Sequence, residues 1–386
     1  MKKTLIILII FASLIFSFGS CNDPIFYTVS QEIKQNDPKI NGSPSKFLEA
    51  NGYLWVASKK ALWKYNSNDG WVKDYQTSLI GDIAAVASSG NSSADIYLYI
   101  ERSGRGIIIN HSKNKEIELS SDNVQTIYSA NGVLFIIARN NNIYTLYYLY
   151  DANDNDDIPL HLDTGDNAPT RLCGVAYNET DNDYYICTDI GVFIYNGAAL
   201  QLQNEQTEYE KFFGSSFAGI INLKPDKIAA ITRSGSLYLI PSPTSGEDAL
   251  GSSIAGFSSS DHVSSGALTL WKSGNDEFAQ TILLAGRQGK LYSSSATEYT
   301  HGYVELLLDI NGDPSGTKFS EPGKQSPSTV DSYERFVSSL GPNPVNHIIQ
   351  TPYEIDDRMI IFASTHQKGV WSYRFRDNKY TWNAED

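Results

Sequence analysis

Along most of the chain, short apolar runs rich in Val, Ile, Tyr, Phe and Trp alternate with turns of Gly, Asn, Asp and Ser. That rhythm predicts short strands joined by tight hairpins, with almost no helix. The clearest unit is Asn51 to Tyr65: an apolar strand ending in small residues, a tight turn, and a second strand with an aromatic near its start. The same pattern returns at Tyr184 to Tyr195, Lys227 to Tyr238 and Thr281 to Tyr292, with weaker copies at Tyr97 to Asn110, Leu134 to Leu146 and Ile360 to Tyr373.

Aligned on the second strand, one column holds Leu62, Ile107, Ile143, Val192, Leu237, Leu291 and Val370, all aliphatic. The next holds Trp63, Ile108, Tyr144, Phe193, Tyr238, Tyr292 and Trp371, aromatic in every copy but one. Neighbouring strand positions point to opposite faces, so each pair fills both sides of a sheet packed between two others. The copies lie 36 to 54 residues apart, except for a last step of 79. This matches the roughly 40 to 50 residues of a four-stranded propeller blade. Apolar runs flank each hairpin, among them Leu172 to Tyr177 and His347 to Gln350 upstream and Tyr303 to Leu308 downstream. The expected fold is all-β, a seven-bladed β-propeller over residues 46–386. A β-sandwich would not repeat one column seven times, and a solenoid would need shorter coils.

Two parts of the ring stay open to alternatives. Ile25 to Ile33 and Lys379 to Trp382 compete for the strand that closes it. The long interruption at 309–346 is rich in Pro, Gly and Ser, with one helical candidate at Ser328 to Leu340. Loops of that length are usually functional or disordered, so a lid, a docking arm and plain disorder are all compatible with it.

The run Cys187 to Asn196, with Gly-Val-Phe-Ile-Tyr after Cys-Thr-Asp, resembles the regulator-propeller repeat of bacterial envelope sensors. That repeat ends a strand with Gly-Thr and resumes with Gly-Leu-aromatic. Ala57-Ser58, Cys187-Thr188 and Ser364-Thr365 match it approximately. The resemblance covers the hairpins between Tyr53 and Tyr373. It implies a ligand-binding propeller, without naming the ligand.

The amino-terminal segment carries an address. Lys2 and Lys3 precede an apolar run of 14 residues, Leu5 to Phe18, and then Gly19-Ser20-Cys21. A basic start, a short apolar core and small residues before a cut describe a secretory signal peptide over 1–20. The run is shorter than the roughly 20 residues of a membrane-spanning helix. Gly19-Ser20-Cys21 resembles a bacterial lipobox, although Phe18 replaces the usual Leu or Val. The resemblance implies cleavage before Cys21, acylation of its thiol, and a tether over 21–45 that contains the candidate ring-closing strand. The expected location is the cell envelope, on the outer membrane, the cell surface or the periplasmic side, and the expected state is a monomer held to the membrane by acyl chains.

Composition narrows the partners. The net charge is −14, with 44 acidic against 30 basic residues, which disfavours non-specific nucleic-acid binding. Beyond Cys21 stand Cys173 and Cys187, in two strands joined by the turn 178–183. An oxidising envelope permits a disulfide between them, and two buried thiols fit equally well. The six histidines lack paired metal spacing, and Asp151 to Asp157 and Asp309 to Asp313 both miss the Gly and Glu of a calcium loop. No metal or cofactor is expected.

Four residues before the aliphatic column stand Ser58, Ser103, Arg139, Thr188, Arg233, Arg287 and His366. Equivalent turns share one face of a propeller. With Arg102 and Arg105 beside them, Arg139, Arg233, Arg287 and His366 form a candidate anion-binding mouth, because guanidinium forks match carboxylate, sulfate and phosphate oxygens. Solvated turn residues paired with acids such as Glu101 or Asp189 would look the same. The expected function is a binding or scaffold lipoprotein that recognises a protein or an anionic glycan. The alternative is a glycosidase or lyase acting on acidic glycans through that face; Ser67 to Gly70 is only a fragment of a sialidase Asp-box.

Overall fold

The computed structural model describes the chain between residues 39 and 385, apart from 151–158, 163–168, 202–208, 242–250, 258–261, 273–280, 289–301, 321–339, 341–343 and several shorter connections. Cys21 and the segment 25–33 therefore lie outside the described residues, as does most of the helical candidate at 328–340.

Alternating side chains build seven antiparallel sheets, six four-stranded and one three-stranded, arranged around an axis as a seven-bladed β-propeller. Blade 1 runs through Leu48–Ala50, Tyr53–Ser58, Ala61–Asn66 and Gly70–Gln76, each strand pairing with the next outward. Blades 2, 3, 4, 5 and 7 repeat that order from inner strands Asp82–Ser89, Asn123–Ala130, Leu172–Asn178, Phe217–Lys224 and Val345–Ile355. Blade 6 holds His262–Lys272, Thr281–Gln288 and Tyr303–Leu308.

The core is divided among the gaps between blades, where the aliphatic and aromatic columns meet. Val192 and Cys187 of blade 4 pack with Phe217 and Ala230 of blade 5, for example, while Phe193 turns the other way to Phe135 and Tyr148 of blade 3. Trp63 and Tyr65 of blade 1 share a cluster with Phe362 and Val370 of blade 7, so the ring is closed by apolar burial between its first and last blades.

Of the two candidate closing strands, Ile25 to Ile33 lies outside the described residues. Lys379–Ala384 is the outer strand of blade 7. The seam is sewn by residues 39–47, at the end of the stretch expected to be tether. The amides of Gly369 and Val370 donate to Gly42 and Ile40, and Lys39 donates to Glu385. On the other side, Ser45 and Ala57 bond through backbone and hydroxyl, and Lys39 Nζ reaches the Trp71 carbonyl. Ile40 is buried among both sets of rings.

Two other expectations are corrected, and the start of the long interruption is placed. In blade 3 the turn closes at Asn140 and Ile143, leaving Ile143 70% exposed; buried Leu146, opposite Ile137, occupies the core. In blade 6 the strand beside Thr281–Gln288 is Tyr303–Leu308, while Leu291 and Tyr292 fall outside the described residues. The beginning of the 309–346 interruption is part of the fold: Pro314 and Ser320 bridge to Leu308 and Glu305, Lys318 bridges to Gly256 of blade 5, and Phe319 is buried. A short helix that the pattern did not predict, Gly197–Gln201, seats Leu200 in the core.

Candidate functional site

The inner strands leave a cavity of about 270 Å³ lined by residues from all seven blades: Phe47, Val86, Tyr128, Val175, Ile220, Leu268 and His347, with Lys46, Thr126 and Ser129 among the polar groups. No acidic residue occurs among the described residues that line it. Aliphatic side chains of the inner strands share the wall with these polar groups.

Lys46 stands out chemically. It lies directly before the first inner strand, and its position is set by the Ser45–Ala57 bonds of the seam. Its Nζ is shut off from solvent and has no hydrogen-bond partner among the described residues. The Tyr128 ring, whose centroid is 3.9 Å away, offers its negative face instead. Burial lowers the Lys46 pKa to about 7, with Cys173 and Cys187 opposing that shift and Arg171 adding to it.

His347 stands beside it in the wall. Its Nδ1 accepts the Phe47 amide at 3.1 Å, so the neutral ring carries its proton on Nε2. Burial, with the neighbouring Lys46 charge, lowers its pKa to about 3 and keeps it neutral through the physiological range.

Cys173 and Cys187 lie nearby in the core of blade 4, both buried as free thiols. A bulge at Cys173, between the Leu172–Thr188 and Gly174–Cys187 pairs, brings the two sulfurs into hydrogen-bond contact. Cys173 also donates to the Phe217 carbonyl at 3.1 Å. The Cys187 contact pushes the Cys173 pKa down, with Arg171 and Lys46 adding to the effect, while burial pushes Cys187 up.

The predicted arginines occupy a different place. None of Arg102, Arg105, Arg139, Arg233, Arg287 and His366 lines the cavity. Arg102 and Arg105 are exposed and face each other as the closing pair of their turn. Arg139 is exposed and sits over Tyr144 of its own hairpin, 5.5 Å from the ring centroid. Arg233 is exposed, Arg287 is 6% exposed at the end of its strand, and His366 is half-buried with its amide on the Pro344 carbonyl. Ser58 and Thr188, in the same column, are buried turn staples: their hydroxyls donate to the Asn41 and Gly191 carbonyls. Thr365 does the same to Gly369, which explains the hydroxyl at the end of the repeat's first strand. Asp189, suggested as an arginine partner, instead accepts the amides of Thr170 and Arg171.

The described ends of the blades differ in charge. Turns between second and third strands expose Lys59, Lys60, Arg102, Arg105, Arg139, Arg233 and Lys368, with Glu101 and Asp189 as their acids. The opposite turns carry Asp69, Asp95, Glu179, Asp181, Asp226, Asp309 and Asp313, partly neutralised by pairs such as Lys113–Asp95 and Lys227–Asp313. Asp309 Oδ1 accepts the amides of Asn311 and Asp313, so this acidic turn satisfies its own carboxylate. The other calcium candidate, Asp151 to Asp157, lies outside the described residues.

No protein-family model matches the sequence, and no curated protein does. Among solved structures, the chain is similar to the extracellular domain of the one component system BT4673 from B. thetaiotaomicron, with 16% identity and a TM-score of 0.53. A second structure, described as the extracellular domain of the hybrid two component system BT4673 from the same organism, gives 15% and 0.50. The alignments cover 89% and 87% of this chain but only 40% and 39% of those chains. At such identities the likeness concerns the fold.

Proposed function

We propose that this protein is an extracytoplasmic binding protein, anchored through acylated Cys21, that presents the cationic face of its propeller to an anionic group on a protein or glycan. The charge division between the two ends of the blades carries this reading. On a chain of net charge −14, a rim holding Arg102, Arg105, Arg139 and Arg233 is a concentrated exception. Exposed guanidinium groups on short rigid turns favour recognition of carboxylate and sulfate. The extracellular placement of the two domains named above supports the same address. The cavity wall favours binding over glycoside cleavage: that chemistry generally uses two carboxylates, and the described lining contains none.

The test is an array of sulfated and uronic-acid glycans, neutral glycans and acidic peptides, probed with the full-length protein and its Arg105→Ala, Arg233→Ala variant. Selective, salt-sensitive binding of acidic probes, weakened roughly ten-fold in the variant, is the expected result. Equal binding by both proteins, or preference for neutral probes, would refute the cationic-face reading.

A further inference from the structure

We propose that the central cavity is a binding site for a small monocarboxylate, with its carboxylate on Lys46 and His347 and its apolar tail along the inner strands. This site is separate from the cationic rim and does not depend on it.

The arrangement of donors supports the proposal. Lys46 lines the cavity, and its buried Nζ has no hydrogen-bond partner among the described residues. A buried ammonium without an acceptor is costly, and the Tyr128 ring compensates for only a fraction of its lost hydration. His347 is held by the Phe47 amide in the tautomer with the proton on Nε2, adding a second donor to the same wall. Thr126 and Ser129 bring hydroxyls. Ser129 Oγ already accepts the Ser88 amide, leaving its own O–H to donate. The site thus has an excess of donors and no side-chain carboxylate among its described lining residues. An incoming carboxylate supplies the missing acceptor atoms and negative charge.

The remaining wall defines the rest of the ligand. Val86, Ile127, Val175, Ile220 and Leu268 are apolar. A volume of about 270 Å³ lies just below the usual range for drug-sized ligands, which limits the tail to a few carbons or one ring. An inorganic oxyanion would satisfy the donors but leave this apolar wall without a partner.

The charged and titratable groups around the Lys46 ammonium are Arg171, Cys173, Cys187, Tyr128 and His347. Because Lys46 is only partly protonated above neutrality in the empty site, carboxylate binding at pH 8 draws in a proton.

Calorimetry on the full-length protein provides the test, with butyrate, hexanoate and benzoate as probes and butyramide, benzamide and inorganic phosphate as controls. At least one carboxylate should bind, with proton uptake at pH 8 seen as a heat that changes with buffer ionisation enthalpy. Lys46→Met should weaken binding at least ten-fold, and His347→Gln several-fold. Arg105→Ala, Arg233→Ala should leave it unchanged, which separates this site from the rim. Unchanged affinity in a folded Lys46→Met protein, equal binding of benzamide and benzoate, stronger binding of phosphate, or no binding by any carboxylate would overturn the proposal.

Discussion

The backbone amide of Phe47, at the edge of the first blade, donates to Nδ1 of His347, in the last, at 3.1 Å. This bond crosses the seam of the ring and requires an unprotonated imidazole nitrogen. Protonation would turn the acceptor into a donor facing the Phe47 N–H, beside the Lys46 ammonium.

Acid sensitivity follows from that bond. The folded pKa of His347, about 3, lies below its ordinary 6.5. As pH falls below 6.5, the unfolded chain takes up a proton that the folded chain refuses until about pH 3. Stability from this group is complete above pH 6.5 and declines toward pH 3, by up to about 1.4 kcal/mol per unit. Urea unfolding at pH 7, 6, 5 and 4 should show a steeper decline for wild type than for His347→Gln. Parallel curves would mean that the bond does not control the titration.

Lys46 predicts a gain in stability from losing a charge. Its folded pKa is lowered to about 7 from 10.5, so its contribution improves as pH rises from 7 to 10.5, and its burial cost is complete below pH 7. Lys46→Met keeps the aliphatic stem and removes that cost. The variant should be more stable at pH 6.5 by about 1–3 kcal/mol, with the difference shrinking toward pH 10. A destabilised variant at pH 6.5 would show that the ammonium supports the fold.

The propeller was legible because several blades bury the same strand position against a neighbour: Val192 with Phe193, Leu237 with Tyr238, and Val370 with Trp371 lie in matching registers. Ile143 broke the pattern because its hairpin extends beyond the packed edge, exposing an aliphatic residue that reads as core. Ser58 and Thr188 share a column with the candidate arginines because a buried, hydrogen-bonded hydroxyl and a solvent-facing group can occupy the same sequence position. Lys46 and His347 were not singled out as a pair. Their meeting depends on closure between residues 300 positions apart, which local patterning cannot register. A lysine immediately before the first inner strand was the available signal.

Cys173 and Cys187 are already in sulfur contact, and the bulge at Cys173 sets their approach. An envelope thiol oxidant should join them into a disulfide, transferring two electrons to the oxidant and releasing both thiol protons. In the chain-entropy account, closing this loop of about 15 residues stabilises by roughly 3 kcal/mol. Mass spectrometry after denaturing alkylation, with and without reductant, should show the bridge, and the reduced form should unfold at lower denaturant. Persistent alkylation of both residues after oxidant treatment would rule it out.

The seam predicts a weak point in the ring. Ile40 is 1% exposed between blades 1 and 7, and its carbonyl holds the Val370 amide while Gly42 holds that of Gly369. Ile40→Ala removes apolar contacts on both sides without altering either backbone bond, at a cost of about 2–4 kcal/mol. Because the bonds at 39–42 are among those that join this segment to blade 7, the loss should appear first as opening there. Hydrogen exchange in the variant should accelerate at Gly369, Val370 and Glu385 before it does at Ile186 or Phe193, whose blade packs far from the seam. Uniform acceleration across all blades would show instead that the ring opens only by global unfolding, and that residues 39–47 form no separate latch.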